Sequence, residues 1–198
     1  MKVVLCGPPQ SGKSCLREGL KQAIRQIKGA PYPYAFSACP DGEGAWFAET
    51  ARRNLQEARQ YKENYKTPFT LEFATVRAQW VRDSKEPLTI VDVGGRIDEK
   101  NRLIMQYATH AVILAGKISE VPDWWEFCTE LKLKIIAVIH SDYHGVCDQL
   151  CWCAERNRVE SEAPILRGSI HYLERGEDVS TRPMVQALAR VLVGLSSV

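Results

Sequence analysis

An eight-residue segment near the amino end, Gly7–Ser14 (GPPQSGKS), limits the folds open to this chain more than any other part of it. The segment matches the pattern G-x-x-x-x-G-K-[ST] at every fixed position. An apolar run at Val3–Cys6 precedes it, and apolar residues recur at helical spacing from Lys13 to Lys28. A glycine-rich turn between a strand and a helix directs backbone N–H groups and the positive helix end toward one anion. The sequence therefore predicts a phosphate-binding loop.

The residues of this loop have expected roles in holding a nucleotide. Lys13 is expected to reach the β and γ phosphates, and the Ser14 hydroxyl to coordinate Mg²⁺. ATP and Mg²⁺ are accordingly the expected cofactors. The predicted nucleotide-binding residues are Gly7, Pro8, Pro9, Gln10, Ser11, Gly12, Lys13, Ser14 and Cys15.

A single acid, Asp92, interrupts the apolar run Leu88–Val93. Such a run is typical of a strand buried on both faces of a parallel sheet, where a carboxylate needs a cation or a hydrogen-bond partner. We expect Asp92 to hold Mg²⁺ together with Ser14. Gly94 and Gly95 follow, so the segment also fits the D-x-x-G pattern by which switch proteins sense a γ-phosphate. The alternative is that these glycines only turn the chain.

Strand and helix patterns alternate along the sequence. Strands are predicted over 3–6, 32–38, 88–93, 110–115, 134–140 and 165–173, and helices over 13–28, 48–62, 69–83, 98–108, 122–131, 146–155 and 181–195. This alternation indicates an α/β fold with a doubly wound, mainly parallel β-sheet flanked by helices. Together with the loop, it predicts a P-loop NTPase with the three-layer sandwich of small kinases. A length of 198 residues fits one domain over 1–198, with a lid-like segment over 143–164.

The acidic turn that begins at Asp41 follows the second predicted strand, at the carboxyl edge of the sheet, where ligands bind in open α/β folds. A phosphotransferase needs a carboxylate there to orient and deprotonate the acceptor hydroxyl. Asp41 is the first candidate for this base and Glu43 the second, and Trp46 could stack on a nucleobase or a sugar. A solvated acidic turn beside a core tryptophan explains the same residues equally well.

Several arginines could neutralise charge on the transferred phosphoryl group. Arg96 is the best placed, because it follows the glycine pair beside the expected γ-phosphate position. The other candidates are Arg52, Arg53, Arg156 and Arg158. For any one of the five, Arg96 included, a surface charge is the commoner explanation. The strand 134–140 leads into Ser141-Asp142 rather than the Asn-Lys pair of guanine-specific switches, which weakens a GTPase interpretation.

Composition argues against several other classes. Lys and Arg number 26 and Asp and Glu 24, and this net charge of +2 disfavours a protein that coats nucleic acid by bulk electrostatics. No apolar run approaches the roughly 20 residues needed to cross a bilayer, and the amino end lacks a signal-peptide pattern. Seven cysteines without a secretory signal favour reduced thiols in a cytoplasm. The histidines and cysteines between His140 and Cys153 match no standard zinc spacing, and packed thiols are the commoner explanation.

Five segments in order resemble the P-loop ATPase or kinase-like domain joined to a CRISPR-associated ring nuclease in some type III systems. They are Gly7–Ser14, Cys39–Trp46, Val91–Gly95, Thr109–Leu114 and Leu173–Gly176. The second segment, with the pattern P-D-G-E-G-x-W, makes the resemblance specific. The ring-nuclease domain is absent from these 198 residues, so cleavage of cyclic oligoadenylate is not implied. The resemblance implies an ATP-using partner of a ring nuclease, and phosphorylation of the 5′-hydroxyl of a short adenylate RNA product fits that role.

Two functions of different classes remain open at this point. The first is an ATP- and Mg²⁺-dependent phosphotransferase acting on a hydroxyl of a nucleotide or short oligoadenylate; its catalytic residues would be Lys13, Asp41, Glu43 and Arg96. The second is a nucleotide-dependent regulatory ATPase or switch that changes self-association or partner binding, including control of a ring nuclease. A ring motor of the AAA type fits less well, because no helical small domain is recognisable after the sheet.

Overall fold

The structure is a computed structural model that describes residues 1–40, 50–51, 53–65, 67–153 and 164–196. Its strands are β1 (Lys2–Cys6), β2 (Pro33–Ser37), β3 (Leu88–Asp92), β4 (His110–Ala115), β5 (Lys134–Asp142), β6 (Gln149–Cys153) and β7 (Ile165–His171). Its helices include α1 (Lys13–Gln26), α2 (Leu55–Tyr65), α3 (Leu71–Asp83), α4 (Glu99–Met105), α5 (Val121–Glu130) and α6 (Pro183–Ser196). A 3₁₀ turn covers Ile118–Glu120.

These strands form one seven-stranded sheet in the order β2-β3-β1-β4-β5-β7-β6. Every neighbouring pair is parallel except β6 and β7, which run antiparallel. The chain segments that follow the parallel strands therefore meet at one edge of the sheet, its carboxyl edge. The predicted doubly wound, mainly parallel α/β sheet is confirmed.

The central strand β1 supplies side chains to both faces of the sheet, as the two-residue period of a strand requires. Val3 and Leu5 pack into the core beneath α1 and α6. Val4 and Cys6 pack into a second core, beneath α3, α4 and α5. All four side chains are fully buried. The fold therefore has three layers, with helices on each side of the sheet.

Local signals in the sequence account for where several helices begin. The Thr70 hydroxyl accepts a hydrogen bond from the Phe73 N–H at 3.1 Å and caps α3. The Asp98 carboxylate accepts one from the Asn101 N–H at 2.9 Å and caps α4. Such caps satisfy N–H groups that the first helical turn leaves without a partner.

The predicted helix over 146–155 is wrong. Gln149–Cys153 forms β6, in which Gln149 lies opposite Ser169 and Cys153 opposite Ile165. Pairing with a strand that comes later in the chain outweighs the weak local preference for helix in this segment. The lid-like segment predicted over 143–164 contains this strand, and its residues 154–163 lie outside the described part of the chain.

Candidate functional site

The loop of residues 7–12 joins β1 to α1 at the carboxyl edge of the sheet. Gly7 has φ 134° and Gly12 φ 86°, in the region that L side chains rarely adopt. A Cβ on Gly7 would lie 1.9 Å from the carbonyl oxygen of Leu114, and one on Gly12 would lie 2.6 Å from Leu173 Cδ1. Both positions therefore require glycine, because neighbouring parts of the chain approach the loop closely.

At the amino end of α1, which faces this loop, no side chain of the helix occupies the place of a bound anion. No side chain caps the helix, and its first turn contains no acidic residue. The first N–H groups of a helix have no intrahelical partner and carry partial positive charge. This end of α1 is therefore suited to an anion.

Lys13, the first residue of α1, lies across the loop. Its Nζ donates to the carbonyl oxygens of Gly7 at 2.8 Å and Pro8 at 2.7 Å, and to Ser11 Oγ at 3.3 Å. The Ser11 hydroxyl in turn donates to the Pro8 carbonyl at 2.9 Å. Lys13 is 8% exposed and lines the cleft described below. Its ammonium charge is thus held inside the loop rather than in solvent.

Ser14 and Asp92 meet beside the loop. The Ser14 hydroxyl donates to Asp92 Oδ2 at 2.7 Å, and Asp92, at the end of β3, is 1% exposed. Hydroxyl and carboxylate oxygens are hard donors of the kind that Mg²⁺ selects. The chemistry of this pair therefore suits a magnesium ion, which Ser14 and Asp92 would hold.

A buried arginine that the sequence analysis did not single out approaches the same carboxylate. Arg17 Nη1 lies 3.4 Å from Asp92 Oδ2, and Arg17 Nε donates to Glu18 Oε1 at 3.0 Å. Arg17 follows Ser14 by three residues, so both side chains lie on one face of α1. This three-residue spacing is the sequence signal that could have placed Arg17 near the site.

The turn after β3 packs directly against the phosphate-binding loop. A Cβ on Gly95 would lie 2.4 Å from the backbone nitrogen of Pro9. Asn101, fully buried on α4, accepts from the Gly94 N–H at 3.1 Å and donates to the carbonyls of Gly94 at 2.9 Å and Arg96 at 2.6 Å. Asn101 thus fixes the turn that carries the D-x-x-G pattern. The sequence pattern gave no sign of this role.

A cleft of about 1010 Å³ opens at this edge of the sheet. Residues 9–15 and the turn after β3 form its floor. Its outer wall comes from α2, the segment before α3, and the turns after β5 and β7. The wall residues include Arg59, Thr67, Phe69, Tyr143, Leu173, Glu174 and Arg175.

Glu174 links two parts of the outer wall. The Tyr143 hydroxyl donates to Glu174 Oε2 at 2.9 Å, and Arg59 Nη2 lies 4.0 Å from Glu174 Oε1. The hydrogen bond to this carboxylate raises the pKa of Tyr143 above its ordinary value. The ring of Tyr143 also lies 5.2 Å, between centroids, from that of Tyr172. None of these contacts was expected from the sequence.

The structure places the predicted site residues unequally. Pro9–Cys15, Asp92 and Arg96 line the cleft, whereas Gly7 and Pro8 contribute the carbonyl groups that Lys13 binds. Arg53 is exposed, on the chain before α2. The remaining candidates, Asp41, Glu43, Trp46, Arg52, Arg156 and Arg158, lie outside the described residues. Cys39 and Pro40, the described residues before Asp41, do line the cleft.

Among the residues that the structure describes, no cluster of three or more His, Cys, Asp or Glu side chains is arranged to hold a metal ion. None of the helices there has the length and apolar content that crossing a bilayer requires.

Comparison with known proteins shows which fold this chain shares. No protein-family model and no curated protein matches the sequence. Among solved structures, the chain resembles the septum site-determining protein MinD from Pyrococcus horikoshii, in its complex with Mg-ADP. The TM-score is 0.51 at 10% identity, over 72% of this chain and 71% of that one. Shikimate kinase from Aquifex aeolicus aligns over 71% of this chain and 85% of its own, at 13% identity, but its TM-score of 0.31 is too low to bear on the fold.

The likeness to MinD agrees with what the chain itself shows. A strand, a glycine-rich loop and a helix follow one another at the carboxyl edge, and the next strand in the sheet ends in a buried acid. The chain therefore has the P-loop NTPase fold.

Proposed function

We propose that this protein is an ATP- and Mg²⁺-dependent phosphotransferase that acts on the hydroxyl of a nucleotide or short oligonucleotide. The observation that carries the proposal is the meeting of three groups in one cleft. These are the Lys13 ammonium inside its loop, the Ser14–Asp92 pair, and the uncapped end of α1. A triphosphate and a divalent cation satisfy all three.

In this proposal the loop residues bind and orient the phosphates. Lys13 and the N–H groups of the loop neutralise the β and γ phosphates. Ser14 and Asp92 hold Mg²⁺, which when bound shields charge on the transferred group. Arg96, exposed at the cleft, supplies a further positive charge to the γ phosphate.

The transfer step needs a base for the acceptor. Asp41 is proposed to orient the acceptor hydroxyl and take its proton while the hydroxyl oxygen bonds to the γ phosphorus, with Glu43 as the second candidate. The bond from the γ phosphorus to its bridging oxygen breaks, and ADP leaves. Cys39 and Pro40 line the cleft directly before Asp41 in the sequence, which supports this assignment.

The size of the cleft supports a second ligand beside the nucleotide. Its volume of about 1010 Å³ lies at the top of the range usual for small-molecule sites, about 300–1,000 Å³. A short adenylate RNA with a free 5′-hydroxyl is the acceptor that the CRISPR-associated family resemblance suggests. A separate ring nuclease would then supply it.

The test is incubation of the protein with Mg²⁺, γ-labelled ATP and short adenylates that carry a 5′-hydroxyl. We expect label on the acceptor for the natural chain. Asp41→Asn should keep ATP binding but reduce transfer by about 10²-fold or more, the contribution usual for a general base. Lys13→Ala should weaken nucleotide binding or abolish turnover.

An acceptor blocked at its 5′ end is the control for the site of transfer, and it should take up no label from the natural chain. ATP binding without label on any acceptor would overturn the phosphotransferase proposal. Unchanged transfer by Asp41→Asn would remove Asp41 from the mechanism.

The second candidate function is a nucleotide-dependent regulatory ATPase. Gly95 packs against Pro9, so a γ-phosphate in the loop would touch the turn held by Asn101 and could move it. Slow ATP hydrolysis without an acceptor, together with an oligomer size that changes with nucleotide in gel filtration, would favour this function. Acceptor labelling without either effect would rule it out.

A further inference from the structure

Arg17 is a buried cation at the metal-binding carboxylate to which the proposed function gives no task. Arg17 is 6% exposed, and its Nη1 lies 3.4 Å from Asp92 Oδ2. The same oxygen accepts the Ser14 hydroxyl at 2.7 Å. Thus the atom best placed to bind Mg²⁺ already faces a fixed positive charge.

The chemistry of arginine makes this charge permanent. A guanidinium group in a protein stays protonated throughout the ordinary pH range. Glu18 holds it in place, with Oε1 at 3.0 Å from both Nε and Nη2. A buried carboxylate such as Asp92 is costly unless a cation accompanies it, and Arg17 meets that need without a metal.

We propose that Arg17 is a positioning residue that neutralises Asp92 and thereby excludes Mg²⁺ from the site unless a triphosphate accompanies it. Without nucleotide, a divalent ion at Asp92 would meet repulsion from Arg17 and Lys13. Glu18 offsets part of the Arg17 charge from the Nε and Nη2 edge, whereas Nη1 faces Asp92. The negative charge of a bound triphosphate reverses that balance. The metal then enters with the nucleotide. The inference rests on the proposed metal-binding role of Ser14 and Asp92.

The test measures MgCl₂ binding without nucleotide, by calorimetry and by the shift in melting temperature, at constant ionic strength. We expect no saturable binding to the natural chain. Arg17→Met should bind Mg²⁺ alone at least about tenfold more tightly than the natural chain. Adding Asp92→Asn to that variant should abolish the gain, and Arg17→Lys should restore exclusion. A merely structural role of Arg17 would create no new metal affinity.

Lys21→Met is the matched control. Lys21 lies on the same helix and also pairs with Glu18, at 3.1 Å, but unlike Arg17 it forms no ion pair with Asp92 among the described residues. This variant should exclude Mg²⁺ as the natural chain does. If Arg17→Met does not fold, Arg17→Gln removes the same charge and is read in the same way.

Two results would overturn the inference. One is saturable Mg²⁺ binding by the natural chain without nucleotide, and the other is equal Mg²⁺ affinity in the natural and Arg17→Met chains. Binding of Mg-ATP is measured in the same series. Its failure in the natural chain would overturn the proposed function, whereas Mg-ATP binding with either of the two results would overturn only the role of Arg17.

Discussion

At the scale of single residues, the site depends on positions where even one added carbon does not fit. Gly7 and Gly12 shape the phosphate-binding loop, and Gly95 brings the turn after β3 against it. The first two belong to a motif that the sequence displays directly. The need for Gly95 comes from its distance to Pro9, a contact between residues far apart in the chain.

Gly95→Ala should disturb the nucleotide site specifically. Its Cβ would lie 2.4 Å from the Pro9 nitrogen, so the loop or the turn must shift. We expect ATP affinity to fall at least about tenfold and the free energy of unfolding to fall by about 1–3 kcal/mol. Titration calorimetry and denaturant unfolding measure the two effects.

Gly116→Ala is the control for this substitution, because a Cβ at Gly116 would meet no atom within 4 Å. It should leave both quantities near those of the natural chain. Equal ATP affinity in the Gly95 and Gly116 variants would show that the contact between the turn and the loop does not govern binding.

At the scale of helices and strands, the sequence predicts the elements that a local pattern determines. It does not predict those that depend on contact with a distant segment of the chain. Leu88–Asp92 is confirmed as a buried strand, since its apolar run needs no knowledge of its neighbours. The helix predicted over 146–155 is wrong at Gln149–Cys153, because the strand there depends on pairing with β7, which lies later in the chain. Likewise, α4 was predicted, but the fact that Asn101 faces the turn after β3 was not.

Asn101→Asp should loosen the turn that α4 holds. The aspartate keeps an acceptor for the Gly94 N–H but loses the donors to the Gly94 and Arg96 carbonyls. The two carbonyls lose their donors and face a buried carboxylate, so the free energy of unfolding should fall by at least about 1–3 kcal/mol. Denaturant unfolding followed by circular dichroism provides the measurement.

The same substitution at Asn54 serves as a control. Asn54 Oδ1 only accepts hydrogen bonds, from the N–H groups of Gln56 and Glu57, and an aspartate retains that function at the start of α2. Asn54→Asp should therefore have little effect on stability. A similar loss in both variants would indicate that the donors of Asn101 are not what matters.

At the scale of the whole molecule, the fold class and the floor of the cleft were predictable, and the outer wall was not. The loop, Lys13, Ser14 and Asp92 are recognised by pattern and by a lone acid in an apolar strand. Contacts such as Arg17 with Asp92 and Tyr143 with Glu174 join distant segments whose closeness only the folded chain establishes. The spacing of residues along the sequence does not indicate these contacts.

A buried thiol pair spans two layers of the fold and should report its global unfolding. Cys6 Sγ on β1 lies 3.6 Å from Cys128 Sγ on α5, and burial raises the pKa of the Cys6 thiol well above its usual range. Because the thiolate is the reactive form, iodoacetamide should modify exposed Cys147 quickly and Cys6 only after denaturation. Mass spectrometry of peptides after timed labelling tests this.

The raised pKa of the Cys6 thiol also predicts how the free energy of unfolding depends on pH. A thiol whose pKa is raised by folding binds more protons in the folded state, so the free energy of unfolding falls as pH rises above about 8.5. Cys6→Ala should make that fall less steep in denaturant titrations over the alkaline range. Equal slopes for the variant and the natural chain, or rapid labelling of Cys6 in the native protein, would contradict the assignment.

Strand β1 is bonded to β3 on one side and β4 on the other, and helices cover both of its faces. The phosphate-binding loop therefore starts from an interior strand that is held along both edges and both faces. We therefore expect rearrangement on binding in the segments around the loop, above all in the outer wall where Tyr143, Glu174 and Arg59 meet. The protein would thus respond to its ligand asymmetrically, with one stationary side and one that adapts.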